Sequence, residues 1–203
     1  MSQEVLDLIQ SFLPPYLSAD QKRDLWQELR KFPTNRGYYT KNSDLMSDYL
    51  QGDGWSNFTI INFTTREDKQ AKGVILSNTC DIDTSNKRKL PSNILYSPLI
   101  KLQSYKIRLQ QAGESEKSIN GTIEAIQKQR ISNIFYLPKL GEQLDESMIL
   151  LDNIHTEPLT HFVGSNAEPI FTLNQFGFYI FIIKLSIHFT RLQENVLRTA
   201  NAG

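Results

Sequence analysis

Strand-like segments follow one another along this chain without a helix between each pair, and this order limits the possible folds more than any other feature. The segments are rich in β-branched and aromatic residues, which favour strands. They cover residues 55–65 (WSNFTIINFTT), 73–79 (GVILSNT), 93–102 (NILYSPLIKL), 133–138 (NIFYLP) and 147–154 (SMILLDNI). Pro98 confines the third segment to a sheet edge or a bulge, because proline has no N–H to donate. Strands that do not alternate with helices predict an α+β fold with a small, strongly bent antiparallel sheet or barrel.

Helical patterns lie before, between and after these strands. Amphipathic patterns cover residues 3–13, 18–32 and 43–50, a polar helical insertion covers 104–131 with a break near Gly113, and a long helix is predicted from Leu173 to Arg198. We therefore expect an N-terminal helical segment over 1–50. A β-barrel-like domain over 51–203 would contain the insertion, as a solvated connection, and the C-terminal helix.

The C-terminal helix carries an apolar seam and a basic stripe. The seam consists of Phe178, Ile182, Leu185, Phe189, Leu192 and Val196, and the stripe consists of Lys184, His188, Arg191 and Arg198. Apolar residues at helical spacing predict the face that packs on a core or a partner, whereas charged residues beside them are usually solvated. We expect replacement of Lys184 by alanine to change stability by roughly 0.5 kcal/mol or less.

The composition restricts the partners and the compartment. The chain has 22 Lys and Arg residues against 22 Asp and Glu residues, so a nucleic acid would have to be held by a local basic patch. A single cysteine forms no internal disulfide and fits a reducing compartment. The N-terminus carries Glu4 and Asp7, unlike a signal peptide, and the apolar run 176–183 is far shorter than the roughly 20 residues of a bilayer span. We expect a soluble, cytoplasmic protein without membrane contact.

The lone cysteine stands in the segment GVILSNTCDID (73–83), between a hydroxyl and two acids. A nucleophilic Cys80 would need a base, and the available bases, which are His155, His161 and His188, are all distant in sequence. Alternatively Cys80 is a small residue packed at the end of the strand. We expect it to be largely buried, with Asp81 committed to the structure.

The two acids of this segment offer a second candidate site. In an extended segment Asp81 and Asp83 would lie on the same side, where they could bind a divalent cation or act as an acid/base pair. Alternatively Asp81 caps a turn and Asp83 is solvated. The sequence lacks the cysteine and histidine spacing of a zinc site and the glycine-rich loops that bind nucleotide phosphates. No metal and no other cofactor are predicted.

Three short landmarks resemble the MazF/PemK-like toxin fold. They are Gly52-Asp53 before the first strand, Val74–Ser77 at the end of the second, and Asp152-Asn153-Ile154 after a later strand. The resemblance covers roughly residues 51–200, with the insertion 104–131 as an extra segment. It implies a small SH3-like β-barrel with a C-terminal helix. The toxins of this family cleave single-stranded RNA, so it also implies a protein that acts on or binds RNA.

The chain departs from the family at two catalytic positions. Where the toxins carry an Arg-Pro with a catalytic arginine, this chain has Ala71-Lys72. The catalytic threonine of the third strand falls near Ser97 to Leu99, so Ser97 would replace it. Cleavage of a phosphodiester without a metal needs a proton shuttle and a cation for the phosphate, and Lys72 would supply the cation.

Our leading hypothesis is a prokaryotic protein of a toxin, mobile-element or defence system that binds or cleaves single-stranded RNA. The candidate catalytic residues are Cys80, Asp81 and Ser97, and the candidate RNA-binding residues are Lys72, Ser77, Asn78, Lys87, Arg88, Lys89 and Arg191. Tyr96 and Tyr136 are expected to be exposed and to stack on bases. The first alternative is a non-enzymatic interaction module or homodimeric regulator that binds a protein, or itself, through its terminal helices. The second is a thiol enzyme that uses Cys80.

Overall fold

The computed structural model describes residues 37–189 and, before them, residues 18, 20, 23, 27 and 32. The predicted helix 3–13 and the C-terminal part of the last helix, with Arg191, therefore lie outside the described residues. Of the predicted helix 18–32, residues 20, 23 and 27 are helical. The segment 43–50 forms a 3-10 helix, Ser43–Ser47. The division at residue 50 stays a prediction.

Eight strands and five α-helices follow in the described part of the chain. The strands are β1 (Gly54–Ile61), β2 (Asp68–Ile75), β3 (Asn93–Pro98), β4 (Ile100–Lys101), β5 (Ile134–Leu137), β6 (Ser147–Leu150), β7 (His155–Pro158) and β8 (Pro169–Phe171). The helices are α1 (Thr79–Ile82), α2 (Leu102–Gln111), α3 (Glu116–Gln127), α4 (Leu159–Gly164) and α5 (Gln175–Phe189).

The strands form two antiparallel sheets, which confirms the predicted α+β class. The larger sheet has the order β7-β3-β2-β1-β8 and the smaller one has the order β4-β6-β5. The register of β1 shifts between Trp55 and Phe58, where Asn57 takes a left-handed conformation with φ 61°. Such a bulge bends the strand and increases its twist. This irregularity falls in the strand that joins β2 to β8 in the larger sheet.

The third predicted strand is divided between the two sheets. β3 ends at Pro98, and the chain continues as β4 in the smaller sheet. The N–H of Leu99 donates to the carbonyl oxygen of Lys72 at 2.9 Å, which ties the crossing to β2. β3 lies between β7 and β2 with a regular register, so the prediction that Pro98 confines it to an edge or a bulge is wrong. Proline has no N–H for a further ladder bond, and it is instead the last residue of the strand.

Apolar side chains fill three clusters, two of them on opposite faces of the larger sheet. One cluster joins β2, β5, β6 and β8 to α5 and includes Phe135, Phe171 and Phe181. The second cluster includes Phe58 of β1 and Phe162 of α4, whose rings stack with their centroids 4.5 Å apart. The third cluster lies between the smaller sheet and helices α2 and α3. Its buried residues come from both the helices and the sheet: Leu102, Ile126, Ile134, Tyr136 and Met148.

The insertion 104–131 is helical and breaks at Gly113, which has φ 81°, as predicted. Its description as a solvated connection is wrong, however. Ile119 and Ile126 of α3 are buried, and Ile126 packs in the third cluster with Tyr136 and Met148. Ile119 and Ile126 are two turns apart on one side of α3, whereas Ile107 of α2 is exposed, so the insertion packs against the fold through one face of α3.

The terminal helix is rotated relative to the predicted seam. Its buried face includes Phe176, Gly177, Phe181 and Lys184, whereas the predicted seam residue Phe189 is 60% exposed. A Cβ atom on Gly177 would lie 2.4 Å from the carbonyl oxygen of Tyr38, so a glycine is needed where α5 packs against this backbone.

Lys184 is buried, which overturns its interpretation as part of a solvated basic stripe. Its ammonium group donates to the carbonyl oxygen of Gln129 at 3.1 Å and to that of Ile131. Burial lowers the pKa of Lys184 to about 8. The amine ties α5 to the segment between α3 and β5, where Gln129 also bonds the backbone of Tyr136 through its side chain.

Asp53, at the start of β1, is a buried carboxyl group that joins two edges of the fold. It accepts hydrogen bonds from the hydroxyl of Thr172 at 2.8 Å and from the N–H of Leu173 at 3.2 Å. Burial raises the pKa of Asp53 to about 7. Asp53 thereby connects the beginning of β1 to the segment that leads from β8 into α5.

None of the helices in the described part of the chain is long and apolar enough to cross a membrane.

We predict that Asp53→Asn changes how stability depends on pH. Between about pH 4 and pH 7 the unfolded chain ionises Asp53 while the folded chain keeps it protonated, so the native protein loses stability as the pH rises through this range. From about pH 4 to pH 7 the free energy of unfolding of the native protein should fall, relative to that of the variant, by a few kcal/mol at most, since one pKa unit corresponds to about 1.4 kcal/mol. Urea unfolding at several pH values measures this difference. Asp68→Asn, at an exposed position, is the control, and identical pH profiles for native protein and Asp53→Asn would contradict the prediction.

We also predict that Lys184→Ala destabilises the protein by about 2–4 kcal/mol, because it leaves a void and removes the donor from two carbonyl groups. Ile187→Ala, on the exposed face of the same helix, should cost about 0.5 kcal/mol or less. Thermal or urea unfolding compares the two variants. Equal tolerance of both substitutions would show that the ammonium group is not packed as described.

Candidate functional site

The chain crosses between its two sheets beside Lys72, and this crossing brings together the two positions at which the family resemblance places catalytic residues. Gly73 pairs with Pro98, and the carbonyl oxygen of Lys72 accepts the N–H of Leu99. The crossing therefore adjoins a lysine of β2. Ser97 is next to it, but its side chain is fully buried and its hydroxyl donates to the carbonyl oxygen of Leu150 at 2.8 Å. That hydroxyl is already committed to the junction of the sheets.

A cavity of about 460 Å³ opens directly after the crossing, between β4, helices α2 and α3, and the segment before β6. We call it the lysine groove. It is lined by Lys101, Leu102, Gln103, Lys106, Ile123, Gln127, Lys139, Asp145 and Glu146. Its apolar members are the buried Leu102 and the half-buried Ile123, and polar or charged side chains supply the remainder. Two helices of the insertion thus form one wall.

Positive charge is concentrated on the rim of this groove. Lys101 donates to the carboxylate of Asp145 at 2.8 Å and thereby lowers the pKa of Asp145, and the charges of Lys139 and Lys72 lower it further. Three lysines, including Lys106, thus line the groove together with two carboxylates. A local excess of positive charge can attract an anion even though the whole chain is neutral.

Glu146 is the carboxylate inside the groove. It accepts hydrogen bonds from the hydroxyl of the buried Tyr136 and from the side-chain amide of Gln127 at 3.1 Å. Its own carbonyl oxygen accepts the N–H of Leu102 at 2.9 Å, which fixes the start of α2 against β6. The carboxylate is thus held in place by an aromatic residue of β5 and an amide of α3.

The predicted Cys80 site has a different structure from the one expected. Residues Thr79–Ile82 form the single helical turn α1, and Cys80 is exposed, so the prediction that it is buried is wrong. Asp81 and Asp83 do not share one side of an extended segment. Asn78 caps the turn by accepting from the N–H of Cys80, while Asp83 accepts from the N–H of Ser85 at 2.8 Å. Turn chemistry explains these polar residues.

The three histidines do not support a thiol enzyme. Within the described residues no hydrogen bond joins an imidazole to Cys80. His155 contacts Asn153 at 3.2 Å, and Nδ1 of His161 contacts the buried carboxylate of Glu157 at 2.5 Å. The ring of His188 packs edge-on against that of Phe189 on α5. No group of three or more His, Cys, Asp and Glu side chains in this part of the chain is arranged to hold a metal ion.

The basic loop lies away from the lysine groove. Arg88 donates to the carbonyl oxygen of Cys80 at 2.6 Å and to the carboxylate of Asp81 at 3.2 Å, so it supports the loop, while Lys87 and Lys89 are exposed. The cavity beside Arg88, of about 410 Å³, shares no lining residue with the groove. The structure therefore does not bring this loop together with Lys72 at one cavity.

Three further candidates are buried. The hydroxyl of Ser77 accepts the N–H of Leu95 at 2.8 Å, next to the end of β2. Tyr96 and Tyr136, expected to be exposed for base stacking, are 0% and 1% exposed, so that prediction is wrong. Tyr136 belongs to β5, whose residues are all buried, whereas Tyr96 lies on the buried face of β3, opposite the exposed Leu95.

No protein-family model matches the chain, and no curated protein is significantly similar to it in sequence. The functional inference therefore depends on the geometry of the lysine groove. Sequence reasoning singled out Lys72 but missed Lys101, Lys106, Lys139 and Glu146, because most of the insertion separates the first two of these from the last two. The one signal in the sequence is that lysines flank the insertion on both sides.

Proposed function

We propose that this protein binds single-stranded RNA through the phosphate backbone, in the lysine groove. The observation that carries the proposal is the convergence of Lys101, Lys106 and Lys139 around one cavity. Lys72 lines no part of it, but its charge reaches the rim carboxylate Asp145. Lysine ammonium groups neutralise phosphates without reading sequence, and they dominate the affinity of most nucleic-acid sites. The half-buried Ile123 also lines the groove and gives it a small apolar surface.

We further propose that the fold is an SH3-like barrel of the MazF/PemK-like kind. Two of the landmarks are in contact: the N–H of Gly52 donates to the carbonyl oxygen of Ile75 at 2.8 Å, and the N–H of Ile75 donates to that of Asp53 at 2.9 Å. The third landmark, 152–154, is the turn between β6 and β7. The irregular register of β1 and the packing of α5 against residues of both sheets also support this proposal. A role in a prokaryotic toxin, mobile-element or defence system belongs to the same proposal.

Binding is favoured over cleavage. Ala71 stands where the family has its catalytic arginine, and the hydroxyl of Ser97 is buried in a structural hydrogen bond. Cys80 and Asp81 lie on α1, outside the groove. Metal-free cleavage needs a proton shuttle near the phosphate, and none of these three candidates is in that position. A lone cysteine and an RNA ligand fit a cytoplasmic location.

We predict that RNA affinity falls steeply as the salt concentration rises, because the groove lysines neutralise phosphates. For a mixed-sequence single-stranded RNA, each phosphate contact contributes about −0.7 to the slope of log affinity against log salt. Simultaneous replacement of Lys101, Lys106 and Lys139 by alanine should therefore flatten the slope by about two units and weaken binding at low salt. Fluorescence anisotropy across a salt series measures this, and the length of the recovered RNA reports any cleavage.

Two control variants locate the effect. Replacement of Lys41, Lys117 and Lys128, which line no part of the groove, removes the same charge and should leave most of the slope. Replacement of Lys87 and Lys89 tests the basic loop. If the salt slope disappears when the loop lysines are replaced and persists when the groove lysines are replaced, the RNA-binding site is the loop. No binding of any RNA at low salt would refute the proposal and favour the interaction module.

A further inference from the structure

An ion pair on the rim of the lysine groove holds one of the groove lysines before any ligand arrives. The ammonium group of Lys101 donates to the carboxylate of Asp145 at 2.8 Å, and both side chains are more than half exposed. Lys106 and Lys139, the other lysines that line the groove, form no ion pair among the residues that the structure describes. One of the three groove lysines is thus already paired with an anion.

The backbone holds this carboxylate beside Lys101. Lys101 pairs with Ser147 in the antiparallel ladder of β4 and β6. The N–H of Leu102 donates to the carbonyl oxygen of Glu146 at 2.9 Å. The hydroxyl of Ser147 donates to the carbonyl oxygen of Asp145 at 2.8 Å, which fixes the chain just before β6. The pair therefore follows from the register of the smaller sheet.

Several positive charges act on the carboxylate of Asp145. The hydrogen bond and the charge of Lys101 lower the pKa of Asp145 most, and the charges of Lys139 and Lys72 lower it further. A phosphate oxygen at the same place would experience the same charges, because phosphates and carboxylates both accept from ammonium groups. The carboxylate therefore marks a place in the groove where an anion is attracted.

The ion pair is weak enough to open when a phosphate competes for Lys101. Exposed ion pairs contribute little, because water solvates both partners and the two side chains lose freedom when they pair. An RNA strand brings several phosphates at once, so Lys106 and Lys139 can hold the strand while Lys101 exchanges its partner. A carboxylate that stayed in place would lie beside the phosphate and repel it.

We infer that a backbone phosphate of the RNA displaces the carboxylate of Asp145 from Lys101, so that Asp145 is a built-in competitor that weakens RNA binding. The inference rests on the proposed RNA binding and adds the position of one phosphate and the residue that limits the affinity. The alternative is a structural ion pair that the RNA leaves intact. The two differ in how the affinity responds when Asp145 loses its charge.

The test measures the affinity of the native protein and of Asp145→Asn for a mixed-sequence single-stranded RNA, by fluorescence anisotropy across a salt series. Asparagine keeps the size of the side chain but does not compete as an anion, so the variant should bind about three- to tenfold more tightly at low salt. The slope of log affinity against log salt should stay unchanged, because Lys101 contacts a phosphate in both proteins. If Lys101 stays paired in the native complex, the variant gains a phosphate contact and the slope steepens by about 0.7.

Two further comparisons show whether Asp145 acts through Lys101. In a Lys101→Ala background, Asp145→Asn should raise the affinity by less than about twofold, because no ammonium group remains to be released. Glu142→Gln, at an exposed position that lines no part of the groove, removes the same charge and should also change the affinity by less than about twofold. All three substituted side chains are exposed, so the variants should fold like the native protein.

Three results would overturn the inference while RNA binding stands. They are an unchanged affinity in Asp145→Asn, a slope that steepens in this variant, and a gain of the same size in the Lys101→Ala background or in Glu142→Gln. Failure of the native protein to bind any RNA at low salt would instead refute the proposed function itself.

Discussion

The groove depends on one backbone contact, the hydrogen bond from the N–H of Leu99 to the carbonyl oxygen of Lys72. Pro98 ends β3, and this bond holds the chain against β2 while it passes into the smaller sheet. The passage sets Lys72 on one side of the junction and Lys101 on the other. Because α2 begins at Leu102, the first helix of the insertion starts where the crossing ends.

The insertion completes the groove by packing against the smaller sheet. Ile126 is buried beside Tyr136, and the same tyrosine donates its hydroxyl to Glu146, so one aromatic residue supports both the wall and the carboxylate. Lys184 of α5 reaches the chain between α3 and β5 from the other side. Burial of apolar side chains and three buried polar contacts thus fix the position of a segment that is mostly hydrophilic.

The sequence predicted the classes of the elements better than their contacts. Segregated strands indicated antiparallel sheets, and Gly113 indicated the break in the insertion, because both signals are local. β7 and β8 were missed, since three or four residues with a proline carry too little alternation. The rotation of α5 was missed because residues 178–183 are all apolar, so periodicity has no polar face to contrast there. The groove was missed because the contact between Lys101 and Asp145 spans 44 residues.

The most direct test of the account is a map of where RNA contacts the protein. Isotope-labelled protein is titrated with a cytidylate octamer while the backbone amide resonances are followed by NMR. RNA bound in the lysine groove should shift the amide resonances of residues 101–106, Lys139 and Glu146 most, and should leave those of Lys87 and Lys89 nearly unchanged. Shifts confined to the loop 87–89, with the groove resonances unaffected, would contradict it.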